Sequence, residues 1–141
     1  MITDQKLNSS SSNCLSRSSL LIAGCSLILS FFKIGLTENT AAAGGFTAIS
    51  SMANTNPVAD TAGVVEQIYR LGKAAGLCDV NPIGAVTKGL DGEKLSEIGA
   101  MADSIAKVRI FSDDGKCVSD PLIMRRALDY VKISNGIIAQ H

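Results

Sequence analysis

Lys107-Val-Arg-Ile-Phe-Ser-Asp-Asp-Gly115 is the stretch on which the fold turns. Val108 to Phe111 is a short apolar run of the kind that fills a strand buried on both faces, and the polar residues come directly after it. A second such run, Gly136-Ile-Ile-Ala-Gln-His141, lies further along. Each run finishes in a potential metal ligand, Asp114 in the first and His141 in the second. Folds that alternate strand and helix place their chemistry at the carboxyl ends of parallel strands, which is where both residues fall. They stand 27 residues apart, enough for one loop, one crossover helix and one strand. Consecutive strands would then bring the two side chains together, and the arrangement suggests a hydrolytic metal site.

The same alternation extends toward the amino terminus. Phe46 to Ser50 reads as a strand and Met52-Ala-Asn-Thr-Asn-Pro57 as a loop, with Pro57 opposing any helix before it. Thr61 to Ala75 has helical spacing, with Val64, Ile68, Leu71 and Ala75 as its apolar stripe, Asp60 as its cap and Gly76 as its stop. A second strand is expected at Asp79 to Val86 and a second helix at Glu93 to Ser104. The third strand covers Val108 to Phe111. Asp120-Pro121 opens a third helix with a capping carboxylate and a proline at the first helical position, where its missing N–H costs nothing. Ile123, Ala127, Tyr130 and Val131 should form its buried face, and Gly136 to Ala139 the fourth strand. The predicted class is α/β, about four strand–helix units on a parallel sheet. Polar residues gather at the strand ends: Asn54, then Thr87 and Lys88, then Asp113 and Asp114, then His141. A closed (β/α)8 barrel takes about 250 residues, so four units amount to part of a TIM barrel.

Composition narrows the function classes. The 141 residues have the length of one domain, and 46% are hydrophobic, sufficient for a core. A formal charge of zero and few aromatic residues give no basis for nucleic-acid binding. Cys14, Cys25, Cys78 and Cys117 are too far apart for a zinc-finger pattern. They read as reduced thiols of a cytoplasmic protein, with Cys78 and Cys117 buried or half-buried.

The chain changes character near residue 36, dividing into an extension, 1–36, and the strand–helix region, 37–141. The extension holds a serine-rich run and an uncharged apolar segment, residues 20–32. As a helix those thirteen residues span roughly 20 Å, short of the roughly 30 Å hydrocarbon core. Lys6, Arg17 and the small residues Ala41 to Ala43 imitate an export signal, so a membrane-anchored or exported protein is the alternative location.

Three stretches make residues 37 to 141 similar to a known family. They are Ala43-Gly-Gly-Phe-Thr-Ala-Ile with Met52-Ala-Asn-Thr-Asn-Pro57, then Val108-Arg-Ile-Phe-Ser-Asp-Asp-Gly115, then Asp120-Pro-Leu-Ile-Met-Arg-Arg-Ala-Leu128 leading to Ala139-Gln-His141. Together they resemble bacterial class I dihydroorotases, particularly the actinobacterial branch, within the amidohydrolase superfamily. The resemblance implies the first part of a (β/α)8 barrel and a reaction interconverting dihydroorotate and N-carbamoyl-L-aspartate in pyrimidine synthesis. It implies two zinc ions in the complete enzyme, with Asp114 as the bridging carboxylate and His141 as a ligand of one ion. Asn54 matches the asparagine that helps hold the substrate's carboxylate.

The sequence also departs from that family. The first barrel strand of such enzymes ends in a His-x-His pair followed by arginine, yet this chain has one histidine in total. With those groups absent, the expectation is a truncated or frameshifted relative, inactive alone and without a catalytic residue of its own. A non-catalytic subunit scaffolding another pyrimidine enzyme is the alternative role. Unpaired sheet edges further predict self-association.

Bland readings compete at each position. Asp113 and Asp114 before a glycine suit a tight turn, and Asn54 suits a loop. Lys88 reads as a solvated loop lysine, and Arg125 and Arg126 as an exposed helix face.

Overall fold

The computed structural model describes residues 37–140. His141, the apolar segment at residues 20–32, Cys14 and Cys25 lie outside the described residues. Four short parallel strands alternate with helices, the α/β class read from the sequence. A helical stretch over residues 37–43 comes first and is closed by Gly44 and Gly45, the latter at φ +82°. Strand β1 is Ala48–Ser51, and it pairs in parallel with β2, Asp79–Pro82, in register from Ala48 opposite Asp79 to Ser51 opposite Pro82. Strand β3, Ile110–Phe111, pairs in parallel with β4, Ile137–Ile138.

The two pairs are joined at one point. The Ile83 N–H donates to Ser51 O of β1 at 2.8 Å, whereas Gly84 turns to β3, donating to Ile110 O at 3.0 Å and accepting from Ser112 N–H at 2.8 Å. Only a glycine fits here. A Cβ at position 84 would stand 2.9 Å from Cδ1 of Phe111 and 3.1 Å from Sδ of Met101. For this reason the expected strand from Asp79 to Val86 stops at Pro82 as regular structure.

Helix α1, Ala62–Ala75, lies between β1 and β2. Its buried face is Val65, Ile68 and Gly72, so the predicted stripe of Val64, Ile68, Leu71 and Ala75 is rotated, and Ala75 is exposed. Gly72 sets the rotation. A Cβ on it would lie 2.5 Å from Cβ of Val80, so the helix backbone rests on β2 along the glycine side. Gly76 ends the helix in the left-handed region at φ 67°, as the sequence predicts. The N-cap is Thr61 rather than Asp60, and it makes no side-chain cap bond. The Asp60 carboxylate is engaged elsewhere.

Helix α2 is short, Ile98–Asp103, and the expected start at Glu93 does not occur. Gly92 at φ 77° reverses the chain, the Glu93 N–H bonds to Oδ1 of Asp91, and Thr87 pairs antiparallel with Leu95. The N–H groups of Ser96 and Glu97 donate to Val86 O and Asp60 O, and Lys94 O accepts from Lys88 N–H, so this segment is a loop tied to its neighbours and not the first turn of a helix.

Helix α3, Pro121–Ile133, is built as predicted at its start. The Asp120 carboxylate accepts from Leu122 N–H at 2.7 Å and Ile123 N–H at 3.4 Å. Ile123, Ala127 and Val131 are its buried face, but Tyr130, expected inside, is 57% exposed. Arg125, Arg126 and Lys88 are exposed, as expected. The core gathers Val65, Val86, Met101, Val108 and Phe111, all fully buried, between the helices and the sheet. Cys78 is half-buried, and burial raises its thiol pKa; Cys117 is exposed rather than buried, because it follows the Gly115 turn. No helix among the described residues is long and apolar enough to cross a membrane.

Candidate functional site

Parallel strands in chain order deliver their carboxyl ends to one side, and the polar residues cluster there. After β1 the chain enters the loop from Met52 to Pro57. That loop is fastened by Ala53, which is buried and whose carbonyl accepts from Ala59 N–H at 3.0 Å. The Thr55 hydroxyl donates to Pro57 O at 2.7 Å. With Ala53 inside, Asn54 is directed outward. Its Nδ2 donates to Oδ2 of Asp114 at 2.9 Å, so the predicted substrate-binding residue and the predicted metal ligand touch across 60 residues of chain.

Asp114 sits at the second position of a tight turn. The Asp113 carbonyl accepts from Lys116 N–H at 2.9 Å, and Gly115 takes φ +83° at the third position, a conformation suited to glycine. The turn reading of Asp-Asp-Gly is therefore correct for the backbone, while the two side chains have separate fates. Asp113 is 4% exposed and faces the end of β2. Its Oδ1 accepts from Val86 N–H at 2.7 Å and Thr87 N–H at 3.1 Å, and its Oδ2 accepts from the Thr87 hydroxyl. Asp114 is half-buried and faces the end of β1. Successive residues leaving a strand point to opposite sides, and here that alternation assigns one carboxyl to the scaffold and one to the mouth.

Further bonds hold the surroundings. Thr87, fully buried, accepts from Gly92 N–H at 3.0 Å while its hydroxyl donates to Asp113. Oδ2 of Asp60 accepts from Gly89 N–H at 2.9 Å, which fastens the loop after β2 to the start of α1. Beyond β4, Nε2 of Gln140 donates to Val118 O at 3.4 Å. Phe111 of β3 and Ile138 of β4 share a rung. Asp114 stands three residues past that rung. His141 stands the same number past its own member of the rung in sequence, outside the described residues.

The structure therefore brings Asn54 and Asp114 together, and His141 lies outside what it describes. Among the described residues no group of three or more His, Cys, Asp and Glu side chains could hold a metal ion. One carboxyl at the mouth, with one oxygen already accepting an amide N–H, is a single ligand and does not amount to a zinc centre, which needs at least three from protein. Sequence reading did not reveal the clamp of Asp113 on Val86 and Thr87. Its partners are 26 and 27 residues apart, and no periodicity marks such a pair. Asp60 was legible as a polar group before a helix, but the end it serves is a loop donor across the strand ends.

The dihydro-orotase-like family profile matches residues 31–139 of this chain. A dihydroorotase of Leifsonia xyli subsp. xyli is 73% identical over 101 residues, covering 72% of this chain and 23% of that protein. Dihydroorotases of Streptomyces coelicolor and Mycobacterium tuberculosis are 67% and 56% identical over the same length, each covering 72% of this chain and 24% of the relative. The chain thus spans about a quarter of the length of the curated relatives it matches. On a match covering most of its length, and on the identity of those relatives, the chain belongs to the dihydroorotase-like family.

Proposed function

We propose that residues 37–141 are a dihydroorotase-type segment forming the early staves of a (β/α)8 barrel. The reaction it belongs to is the interconversion of dihydroorotate and N-carbamoyl-L-aspartate, that is, opening and closing of a cyclic amide in pyrimidine biosynthesis. Asp114 and His141 are the zinc ligands this segment contributes, and Asn54 takes part in holding the substrate's carboxylate. The observation that carries this reading is the meeting of Asn54 and Asp114 at the ends of β1 and β3, in a chain 73% identical to a dihydroorotase over 101 residues. The shared rung of β3 and β4 supports it, since it gives positions 114 and 141 the same offset on adjacent strands.

The chain by itself does not turn over substrate in this reading, because the described residues hold one ligand where a zinc site needs several. The short strands leave unpaired edges, so the isolated chain self-associates. Its place is the cytoplasm, where the substrates of pyrimidine synthesis are found. The test is a segment exchange: residues 40–140 replace the corresponding stretch of the Leifsonia xyli relative, and dihydroorotate hydrolysis is measured. The expected result is an active chimera that loses more than about 100-fold in kcat/KM on Asp114→Ala. A properly folded chimera without activity, or one indifferent to Asp114→Ala, refutes the assignment.

A further inference from the structure

We infer that Thr87 and Asp113 are positioning residues for Asp114, a clamp across the ends of β2 and β3 that fixes where the mouth carboxyl points. The inference rests on the reading of Asp114 as a working residue of the site. Three hydrogen bonds converge on the Asp113 carboxyl, from the N–H groups of Val86 and Thr87 and from the Thr87 hydroxyl. Both side chains are nine-tenths or more buried, and among the described residues no ion pair involves Asp113. The hydroxyl is itself oriented, because Gly92 N–H occupies a lone pair of Oγ1 at 3.0 Å and leaves the proton directed to Asp113.

The consequence for Asp114 follows from covalent geometry. With the Asp113 side chain held by Val86 and Thr87 and its carbonyl held by Lys116 N–H, the residue leading into Asp114 is fixed through both its side chain and its carbonyl. Gly115 at φ +83° closes the turn immediately after. Asp114 therefore retains little freedom beyond its own side-chain rotations, and the Asn54 amide restricts those. A buried threonine in the loop after β2 thus aims a carboxyl in the turn after β3 without touching it. Rigid support of this kind matters because a displacement of about 1 Å at a reacting centre can cost about 100-fold in rate.

The test uses the full chain with Thr87→Val, which preserves shape and removes the hydroxyl, and Thr87→Ser, which retains the hydroxyl. The side-chain amide resonances of Asn54 report the Asp114 contact. They should move to free-amide positions in Thr87→Val and remain in place in Thr87→Ser, with the backbone spectrum elsewhere unchanged. A folded Thr87→Val chain with Asn54 signals as in the parent overturns the inference. If Thr87→Val does not fold, Thr87→Ser decides: Asn54 signals lost from a folded serine variant, despite its hydroxyl, likewise overturn it. In the active chimera, Thr87→Val should lower kcat by about 100-fold with KM changed by less than about threefold, and serine should restore it. A chimera inactive with the parent segment counts against the functional reading, whereas the amide resonances judge the clamp independently.

Discussion

Asn54 and Asp114, 60 residues apart, are joined by a hydrogen bond of 2.9 Å between the loop after β1 and the turn after β3. The turn after β3 is thus held twice, by this contact to the loop after β1 and by the Asp113 clamp to the loop after β2. Asn54 is exposed, and an exposed bond contributes little to stability. Asn54→Leu should therefore lower the unfolding free energy by less than about 1 kcal/mol, measured by urea titration. In the chimera the same change should raise KM for dihydroorotate more than it lowers kcat.

Gly72→Ala tests the contact of α1 with β2. Alanine is favoured over glycine inside a helix by about 1 kcal/mol, so propensity alone predicts stabilisation. The new Cβ would meet Val80 Cβ at 2.5 Å, and both belong to packed elements with no room to withdraw. Overpacking of this kind costs about 1 to 3 kcal/mol, so the net change should be destabilising. A thermal midpoint above that of the parent chain would contradict the described packing.

Asp120→Ala should destabilise the chain by about 0.5 to 2 kcal/mol, since it leaves the first donors of α3 without their acceptor. Asp120→Asn keeps an oxygen in place and should lose much less. The comparison is made by chemical denaturation at one pH, with the slope of the transition checked for constancy.

Lys73 and Asp79 form a surface pair at 2.7 Å, linking the end of α1 to the start of β2. The hydrogen bond and charge of Lys73 lower the Asp79 pKa from its ordinary 3.8, and those of Asp79 raise the Lys73 pKa from 10.5. A lowered carboxyl pKa adds stability that is fully present above the unfolded value and is lost as pH falls through the folded one. A raised ammonium pKa adds stability present below the unfolded value and lost as pH rises through the folded one. The thermal midpoint should thus respond to this pair only below about pH 4 and above about pH 10, and Asp79→Asn should flatten both limbs. High salt should shrink the effect, as both groups are exposed.

Sedimentation of the isolated chain should show concentration-dependent association. Ile133 and Ile137 are 83% and 59% exposed near the outer edge of β4, a combination that favours pairing between chains. A single monomeric species across a hundredfold range of concentration would speak against it.

The sequence made plain what local chemistry controls. Asp120 with Pro121 marks a helix start that needs nothing from the rest of the chain, and Gly76 marks an end in the same way. The parallel strands were legible because their apolar runs alternate with helical spacing. Positions settled by distant partners were not. The buried face of α1 follows Gly72 because Val80 lies against it, and the start of α2 is delayed because residues 93 to 97 bond to groups around Val86 and Asp60. At the site, Asn54 and Asp114 could be named from their motifs, whereas the clamp of Thr87 and Asp113 joins residues that only the bridge from Gly84 to Phe111 of β3 brings together.

Gly84 takes over at the point where Ile83 releases β1, and its two bonds to β3 stitch one strand pair to the other. Together with the shared core and the Asp113 clamp, that stitch should make the chain melt as one unit. A bulky residue there would sever it, and the half containing β1 and β2 would then come apart at its own temperature, as two steps in a calorimeter where the parent shows one.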